Sequence, residues 1–222
     1  MPNMVDYERL QALLSTERLG SYLNATGGDL EGAFALYEWN IEASAAAVSL
    51  AAMLEVLVRN ALDRQMTAWA DGRDVPDWLD AAPLDARAQR DIVKARQRAA
   101  RGGRQVTHGH IVAELNLGFW RYLVSRRYLT TLWIPNLRHE FPLGDGKPHE
   151  QRRRVESDIE QLLFLRNRAA HHEPIHRRDL LTDLRRCVEL AGCIDAQART
   201  WVASRESVTR VMRKKPTDTP QA

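Results

Sequence analysis

The feature that most constrains this chain is a continuous helical pattern that runs from about residue 30 to residue 69. In the second half of this pattern, apolar residues recur at intervals of four, three and four. These residues are Leu50, Leu54, Leu57 and Ala61. Such spacing places the four side chains on one face of an α-helix, where they are expected to be buried. The sequence therefore predicts a long helix over residues 30–69, preceded by Asp29 as its N-cap.

The remaining segments also predict helices, because none alternates apolar and polar residues with the period of two that is typical of a β-strand. The predicted helices cover residues 6–25, 84–100, 107–115, 118–133, 149–172 and 178–204. Loops at residues 71–83 and 141–148 are rich in helix-breaking residues. We therefore predict an all-α fold with a single domain over residues 1–205, followed by a basic, flexible tail over residues 206–222.

The composition predicts a cytoplasmic protein that does not enter a membrane. Hydrophobic residues make up 44% and charged residues 27% of the 222 positions, which is ordinary for a soluble globular protein. The most apolar window, residues 43–58, contains two serines and a glutamate and is shorter than the roughly 20 residues that a membrane span needs. The N-terminus lacks the basic and apolar regions of a secretory signal. Cys187 and Cys193 would point in different directions on one helix, so we expect both to be reduced and packed.

Positive charge is unevenly distributed along the chain, although the formal net charge is only +3. The sequence pI is about 9.1. The basic residues cluster at Arg96, Arg98, Arg101 and Arg104, at Arg152–Arg154, at Arg177 and Arg178, and at Arg213–Lys215. Such clusters are compatible with a polyanionic partner such as nucleic acid. The alternative is that each cluster is a solvated helix face balanced by nearby acidic residues.

The end of the predicted helix over residues 149–172 concentrates cationic, titratable and amide side chains. They are Arg166, Asn167, Arg168, His171, His172 and Glu173. Pro174 disfavours the helical conformation at Glu173, so both histidines lie in or just beyond the last turn. Arg166 falls on the predicted apolar face of the helix, where a buried cation needs a partner or a function. In the alternative interpretation, the imidazoles only cap the last carbonyl groups of the helix.

A metal site is the less favourable interpretation of His171, His172 and His176. Adjacent histidines on a helix diverge by about 100°. Their spacing also differs from the H-E-x-x-H pattern, in which two histidines share one face. The sequence therefore predicts no metal and no cofactor.

Cleavage of a phosphodiester fits these residue types better. Imidazole, whose ordinary pKa is about 6.5, can take a proton from a ribose 2′-hydroxyl or give one to the leaving 5′-oxygen. A guanidinium can bind the phosphate through paired hydrogen bonds and stabilise the charge of the transition state. RNA carries its own nucleophile, so this reaction needs no metal.

The spacing of Arg166 and His171 constrains such a site. Five residues apart, their side chains would diverge by about 140° on an ideal helix. Either the last turn is distorted, or a second copy of the chain supplies the missing group. The second possibility predicts a twofold homodimer.

A further candidate region lies on the long helix. Glu55, Arg59 and Asp63 are four residues apart and can form an ion-pair ladder that only stabilises the helix. In the alternative interpretation, Arg59 and Asn60 lie near the site and support it.

Several stretches, in this order, resemble the Abi-like (abortive infection) family of bacterial proteins. They are Leu19–Leu23, Tyr37–Asn40, Glu55–Asn60, Leu117–Leu123, Trp133, Phe141–Pro142 and Leu165–Pro174. The last stretch resembles the HEPN ribonuclease signature, in which an arginine is followed by a polar residue and, four to six positions on, by a histidine. In this chain the matching residues are Arg166, Asn167 and His171.

The resemblance covers residues 19–176 and implies a HEPN-like helical bundle with additional N-terminal and connecting helices. It implies a dimer in which the two motifs face each other across a cleft. It further implies metal-independent RNA cleavage that leaves a 2′,3′-cyclic phosphate, used in phage defence or as a toxin. An antitoxin or another regulator is a further expected partner.

The first hypothesis is therefore an RNA endonuclease in which Arg166 holds and polarises the phosphate and His171 is the general acid or base. Asn167 would orient the phosphate or the histidine, and His172 and Glu173 would support them. The second hypothesis is a non-catalytic HEPN module that binds RNA or a regulatory partner.

Overall fold

The structure of the protein is a computed structural model that describes residues 5–103, 105–142 and 146–216. Within these ranges every regular element is helical, and no strand is present. The predicted all-α class is therefore confirmed. Among the residues singled out from the sequence, Arg104, residues 143–145 of the predicted loop and residues 217–222 of the predicted tail lie outside the described ranges.

The α-helices of the described residues are α1 (Tyr7–Leu14), α2 (Thr16–Ala25), α3 (Leu30–Asp71), α4 (Trp78–Ala81), α5 (Ala86–Ala99), α6 (His108–Glu114), α7 (Leu117–Leu123), α8 (Pro148–Ala170), α9 (Leu180–Ile194), α10 (Ala196–Arg205) and α11 (Val208–Met212). Between α7 and α8 lie 3₁₀-helical turns at Arg126–Tyr128 and Leu137–Glu140 and a π-helical turn at Leu129–Trp133.

The chain divides into two compact units. The first consists of Met1–Leu50, Leu165–Leu184 and Glu206–Ala222, and the second of Ala51–Phe164 and Arg185–Arg205. Helices α3, α8 and α9 contribute residues to both units. The single domain expected over residues 1–205 stays a prediction.

The long helix predicted over residues 30–69 is present as α3, which begins directly after Asp29. The carbonyl oxygen of Asp29 accepts a hydrogen bond from the backbone N–H of Ala33 at 2.9 Å. Of the predicted apolar stripe, Leu50, Leu54 and Ala61 are buried and Leu57 is half-buried. Local periodicity was therefore sufficient to locate this helix and its buried face.

Helix α3 is also long and apolar enough to cross a membrane, by length and composition alone. An 18-residue window within it has a mean hydropathy of 1.8, so the count over residues 43–58 underestimated its apolar length. However, 44% of that window is buried inside the protein, and core helices of soluble proteins pass the same test. The cytoplasmic location stays a prediction.

In the first unit, the helix predicted over residues 6–25 is divided in two at Ser15. This residue has a φ of 76° and a ψ of 149°, which no α-helix accommodates. Its hydroxyl accepts a hydrogen bond from the backbone N–H of Arg18 at 3.3 Å and so caps α2. The prediction of one helix was wrong because a serine side chain can replace a helical hydrogen bond with a local one.

The beginning of the predicted tail is part of the packed first unit. Val208 and Val211 of α11 are buried, and the indole N–H of Trp39 donates to the carbonyl oxygen of Val211 at 2.9 Å. The ammonium group of Lys215 donates to the carbonyl oxygen of His176 at 2.7 Å and lies 5.3 Å from the Trp39 ring. The flexible tail predicted for residues 206–222 is therefore wrong for residues 206–216.

In the second unit, the predicted loop over residues 71–83 contains the short helix α4. Asp77 caps it, since its carboxylate accepts from the backbone N–H of Leu79 at 2.9 Å. Trp78 is fully buried, and its ring lies 6.1 Å from the ring of Trp120. Because this segment is largely polar, its composition did not predict that Trp78 would be buried in the core of the unit.

Two other predicted helices are shorter or interrupted in the structure. The helix predicted over residues 118–133 ends as α7 at Leu123 and continues only as 3₁₀ and π-helical turns. The helix predicted over residues 178–204 is interrupted at Asp195, whose carboxylate accepts from the backbone N–H of Gln197 at 2.6 Å. In contrast, the helix predicted over residues 107–115 is present as α6. Thr107 caps it, with its hydroxyl accepting from the backbone N–H of His110 at 3.4 Å.

Candidate functional site

The candidate site lies at the C-terminal end of α8, in the first unit. The backbone N–H of His172 donates to the carbonyl oxygen of Ala169 at 3.2 Å. The backbone N–H of Glu173 donates to the carbonyl oxygen of Arg168 at 2.9 Å. His172 has a φ of 56°, in the left-handed region. This pair of bonds around one left-handed residue is the Schellman arrangement, in which glycine is the usual residue. A histidine at this position indicates that the surrounding contacts hold the backbone there.

Two arginines supply the remaining donors at this helix end. Arg168 donates to the carbonyl oxygen of Pro174 at 2.7 Å and forms an ion pair with Glu173 at 3.1 Å. Arg18 of α2 donates to the carbonyl oxygen of His172 at 2.6 Å. The carbonyl groups after α8 are thus capped by backbone N–H groups and guanidinium groups. The carboxylate of Glu173 is engaged by Arg168, which limits the supporting role predicted for it.

The three residues of the signature lie on the last two turns before this cap. Arg166 and Asn167 are half-buried, and the Nε atom of Arg166 is shielded from solvent. His171 is exposed, and its backbone N–H donates to the carbonyl oxygen of Asn167 at 3.0 Å. This bond has helical spacing, so the helix is regular up to His171 and the distortion begins one residue later. Arg166 and His171 of one chain therefore keep the divergence of about 140° expected for a helix.

The apolar spacing of the sequence predicts a buried stripe of Ile159, Leu163 and Ala170 on this helix, with Arg166 on the line between the last two. In the structure the buried face of α8 is rotated relative to this prediction. Ile159, Leu162, Leu165 and Ala169 are buried, whereas Leu163 is half-buried and Ala170 is exposed. Arg166 therefore lies at the edge of the buried face and not along its centre. The error is one residue in register, which is about 100° around a helix.

An open apolar groove of about 750 Å³ adjoins the helix end within the first unit. Its lining residues are Tyr37, Asn40, Ile41, Ser44, Ala45, Val48, Ser49, Ala169, Ala170 and His172. Ile41 and Val48 are 53% and 38% exposed and lie about two helical turns apart, so together with the groove they form an exposed apolar patch. The sequence did not reveal the groove, because an apolar face of a long helix is ordinarily a buried one.

His176, the third histidine of the metal hypothesis, is a buried packing residue. Its Nε2 atom lies 2.8 Å from the hydroxyl of Ser21, and its ring lies 5.0 Å from the ring of Tyr22. Burial, followed by the proximity of Tyr37, raises the pKa of Tyr22 to about 12. Among the described residues, no group of three or more histidine, cysteine, aspartate or glutamate side chains is arranged to hold a metal ion.

Arg59 and Asn60 lie in the second unit, where Arg59 donates from Nε to the side-chain oxygen of Asn60 at 3.3 Å. Their supporting role stays a prediction. The proposed ion-pair ladder is wrong at Asp63, whose carboxylate lies 2.9 Å from Nε2 of His108 and accepts from the indole N–H of Trp78 at 2.9 Å.

His108 is a charged bridge that the sequence did not predict. Its Nδ1 atom lies 3.1 Å from the carboxylate of Asp77, in addition to the contact between Nε2 and Asp63. The hydrogen bond to Asp63 outweighs the opposing effect of burial and, together with that to Asp77, raises the pKa of His108 to about 9. The three residues are far apart in sequence, so no local pattern links them.

No protein-family model matches this chain, and comparisons with curated proteins and with solved structures find no significant similarity. The fold and the helix end together define an all-α protein with an exposed histidine beside a cluster of arginines.

Proposed function

We propose that this protein is a metal-independent RNA endonuclease of the HEPN type, acting in phage defence by abortive infection or as a toxin. One observation carries the proposal. His171 is exposed at a helix end whose carbonyl groups are capped by other donors, and Arg166 and Asn167 precede it on the same helix. An imidazole that is not needed to cap the helix can exchange protons with a bound substrate.

In the proposed reaction, an imidazole removes the proton of the ribose 2′-hydroxyl. The resulting oxygen nucleophile attacks the adjacent phosphorus, and the bond to the 5′-oxygen breaks as that oxygen receives a proton from a protonated imidazole or from water. The products are a 2′,3′-cyclic phosphate and a 5′-hydroxyl. Arg166 would stabilise the charge that develops on the phosphate oxygens. Asn167 would orient the phosphate or His171.

The proposed active form is a twofold homodimer with the two helix ends at its cleft. Because α8 is helical up to His171, one copy directs Arg166 and His171 to different sides. A second copy related by a twofold axis can supply the complementary group. The apolar groove beside His172, with the exposed side chains of Ile41 and Val48, is the surface that we expect this second copy to cover.

Activity is tested with total RNA in the presence of EDTA. We expect the wild-type protein to cleave RNA and the variants His171→Ala and Arg166→Ala to lose this activity. His149→Ala and Arg153→Ala are matched controls, because both residues are exposed near the opposite end of α8. The fragments should carry 2′,3′-cyclic phosphate ends, which block ligation until they are opened enzymatically.

Two outcomes contradict the catalytic proposal. Equal RNA breakdown by the wild type and both site variants would identify a contaminating nuclease. Binding of RNA by all proteins without cleavage would favour the non-catalytic HEPN module instead.

The shared site has a separate test, in which inactive Arg166→Ala and His171→Ala proteins are mixed after dissociation and reassociation. In a mixed dimer, one of the two shared sites contains both wild-type residues. Statistical mixing therefore predicts recovery of about a quarter of the wild-type activity. If each site were built within one chain, the mixture would remain inactive.

A further inference from the structure

The arginine-rich helix α5 of the second unit carries five cations, of which Arg87 lies 4.2 Å from the ring of Tyr122. The other four cations form two groups. Arg96 forms an ion pair with Asp80 at 2.7 Å, and Arg98 forms one with Glu114 at 3.1 Å. Arg98 also donates to the carbonyl oxygen of Glu114 at 2.6 Å. For these two arginines, the structure supports the interpretation that a charge cluster is balanced by nearby acidic residues.

The opposite face of α5 is different. The buried residues Ala88, Ile92, Ala95 and Ala99 follow intervals of four, three and four. Arg90, Lys94 and Gln97 follow the same intervals two positions later, which places them about 200° around the helix from the buried stripe. All three are exposed, and Arg101 is exposed just beyond the helix end.

The exposed cations of this face differ from Arg96 and Arg98 in their ion pairing. Within the described ranges, Arg90, Lys94 and Arg101 form no ion pair, in contrast to Arg96 and Arg98. The positive charge of α5 that is available to a partner is therefore concentrated on one side of the helix.

The shape of this face fits an extended chain of anions. Arg90 and Lys94 are about 6 Å apart along the helix axis, comparable to the separation of neighbouring phosphates in a single nucleic-acid strand. An open depression of about 490 Å³ runs along the same face and includes Gln89, Val93 and Gln97. The amide groups can bond to sugar or base edges, while the aliphatic side chain of Val93 can contact a base.

We propose that the exposed face of α5 formed by Arg90, Lys94, Gln97 and Arg101 binds the phosphate backbone of a single RNA strand. The choice of RNA rests on the proposed function, whereas the row of unpaired cations does not depend on it. Binding here is independent of sequence, because guanidinium and ammonium groups contact phosphates that every nucleotide carries.

The experiment uses a fluorescein-labelled oligouridine with 2′-O-methyl riboses, which removes the nucleophile and separates binding from cleavage. The test variant is the double substitution Arg90→Gln with Lys94→Gln. The matched control is Arg96→Gln with Arg154→Gln, which removes the same number of charges from arginines that pair with Asp80 and Glu189. Glutamine is a good helix former, so we expect both proteins to fold, as circular dichroism will check.

We expect the test variant to bind the oligouridine about tenfold more weakly, and the control to bind within about twofold of the wild type. The dependence of log affinity on log salt concentration should become less steep by about 1.4, because each lost contact with a single strand contributes about 0.7. Equal weakening in both variants would show that only net charge matters and would overturn the proposal. Unchanged binding by the test variant would also overturn it.

A poly-glutamate peptide in the same assay tests an acidic protein as the alternative partner. Loss of peptide binding without loss of oligouridine binding in the test variant would assign this face to such a protein and contradict the proposal. If the wild type cleaves RNA but the test variant binds the oligouridine normally, the proposed cleavage site on α8 stands and the proposed binding face on α5 is refuted. If the test variant loses binding but the wild type does not cleave RNA, the binding face on α5 stands and the cleavage site on α8 is refuted.

Discussion

Replacing His108 by glutamine tests the charged bridge that joins α3, the segment before α4 and α6 in the second unit. The pKa of His108 is raised from its ordinary 6.5 to about 9. A shift of this size corresponds to about 3.4 kcal/mol between the two protonation states. Because the side chain is 35% exposed, solvent screening reduces the contribution, and we expect about 2 kcal/mol of stability.

The direction in which this stability changes with pH follows from the direction of the pKa shift. A histidine whose pKa is higher in the folded state stabilises the protein fully below its unfolded pKa. That stabilisation is lost as the pH rises from about 6.5 through about 9. The wild type should therefore lose about 2 kcal/mol of unfolding free energy between pH 6 and pH 9.5, beyond any loss seen in His108→Gln.

Urea denaturation at both pH values measures this difference, with tryptophan fluorescence as the signal, since five of the six tryptophans lie in the second unit. The buried Trp78 is a suitable reporter, because its ring lies 6.2 Å from the ring of His108. If the stabilities of the wild type and His108→Gln fall in parallel as the pH rises, the bridge carries no charge-dependent stability and the reasoning is refuted.

Three further predictions concern stability. Burial favours a higher pKa for Asp85, but hydrogen bonds from Tyr122 and the backbone of Ala88 outweigh it and lower the pKa to about 2. Asp85→Asn should therefore lower the free energy of unfolding by about 2 kcal/mol at pH 7. This difference should vanish in urea titrations as the pH falls from 3.8 through about 2, and a constant difference would contradict the charge argument. His172→Gly should leave thermal stability unchanged or raise it by up to about 1 kcal/mol, while His172→Val should lower it, because only glycine adopts the left-handed conformation without strain. Removal of residues 206–222 should cost about 3 kcal/mol or more in urea denaturation, since α11 buries two valines, and an unchanged midpoint would show that α11 adds no stability.

Much of the candidate site was accessible from local sequence. Pro174 located the end of α8 to within a few residues, and the positions of Arg166, Asn167 and His171 on its last turns followed from helical spacing. The left-handed conformation of His172 was not predicted, because glycine is the usual residue at that position. The contact of its carbonyl oxygen with Arg18 was also missed, because Arg18 is distant in sequence. The groove was also missed, since its two walls are separated by more than a hundred residues of chain.

The sequence by itself determined the all-α class, the extent of α3 and several helix ends. Gly102 and Gly103, for example, follow α5 with positive φ angles of 83° and 69°, a conformation that glycine adopts without strain at helix ends. These features depend on residues within one or two turns of each other, so a linear pattern contains the necessary information.

Only the tertiary structure decided which charges are paired and which segments are buried. Arg90 and Arg96 are both arginines of α5. Arg96 forms an ion pair with Asp80, whereas Arg90 has no acidic partner within the described ranges. Residues 206–216 have the composition of a tail, yet the partners of Lys215 and Val211 lie on distant segments. Ion pairing and burial are properties of neighbours in space, and the chain brings those neighbours together only when it folds.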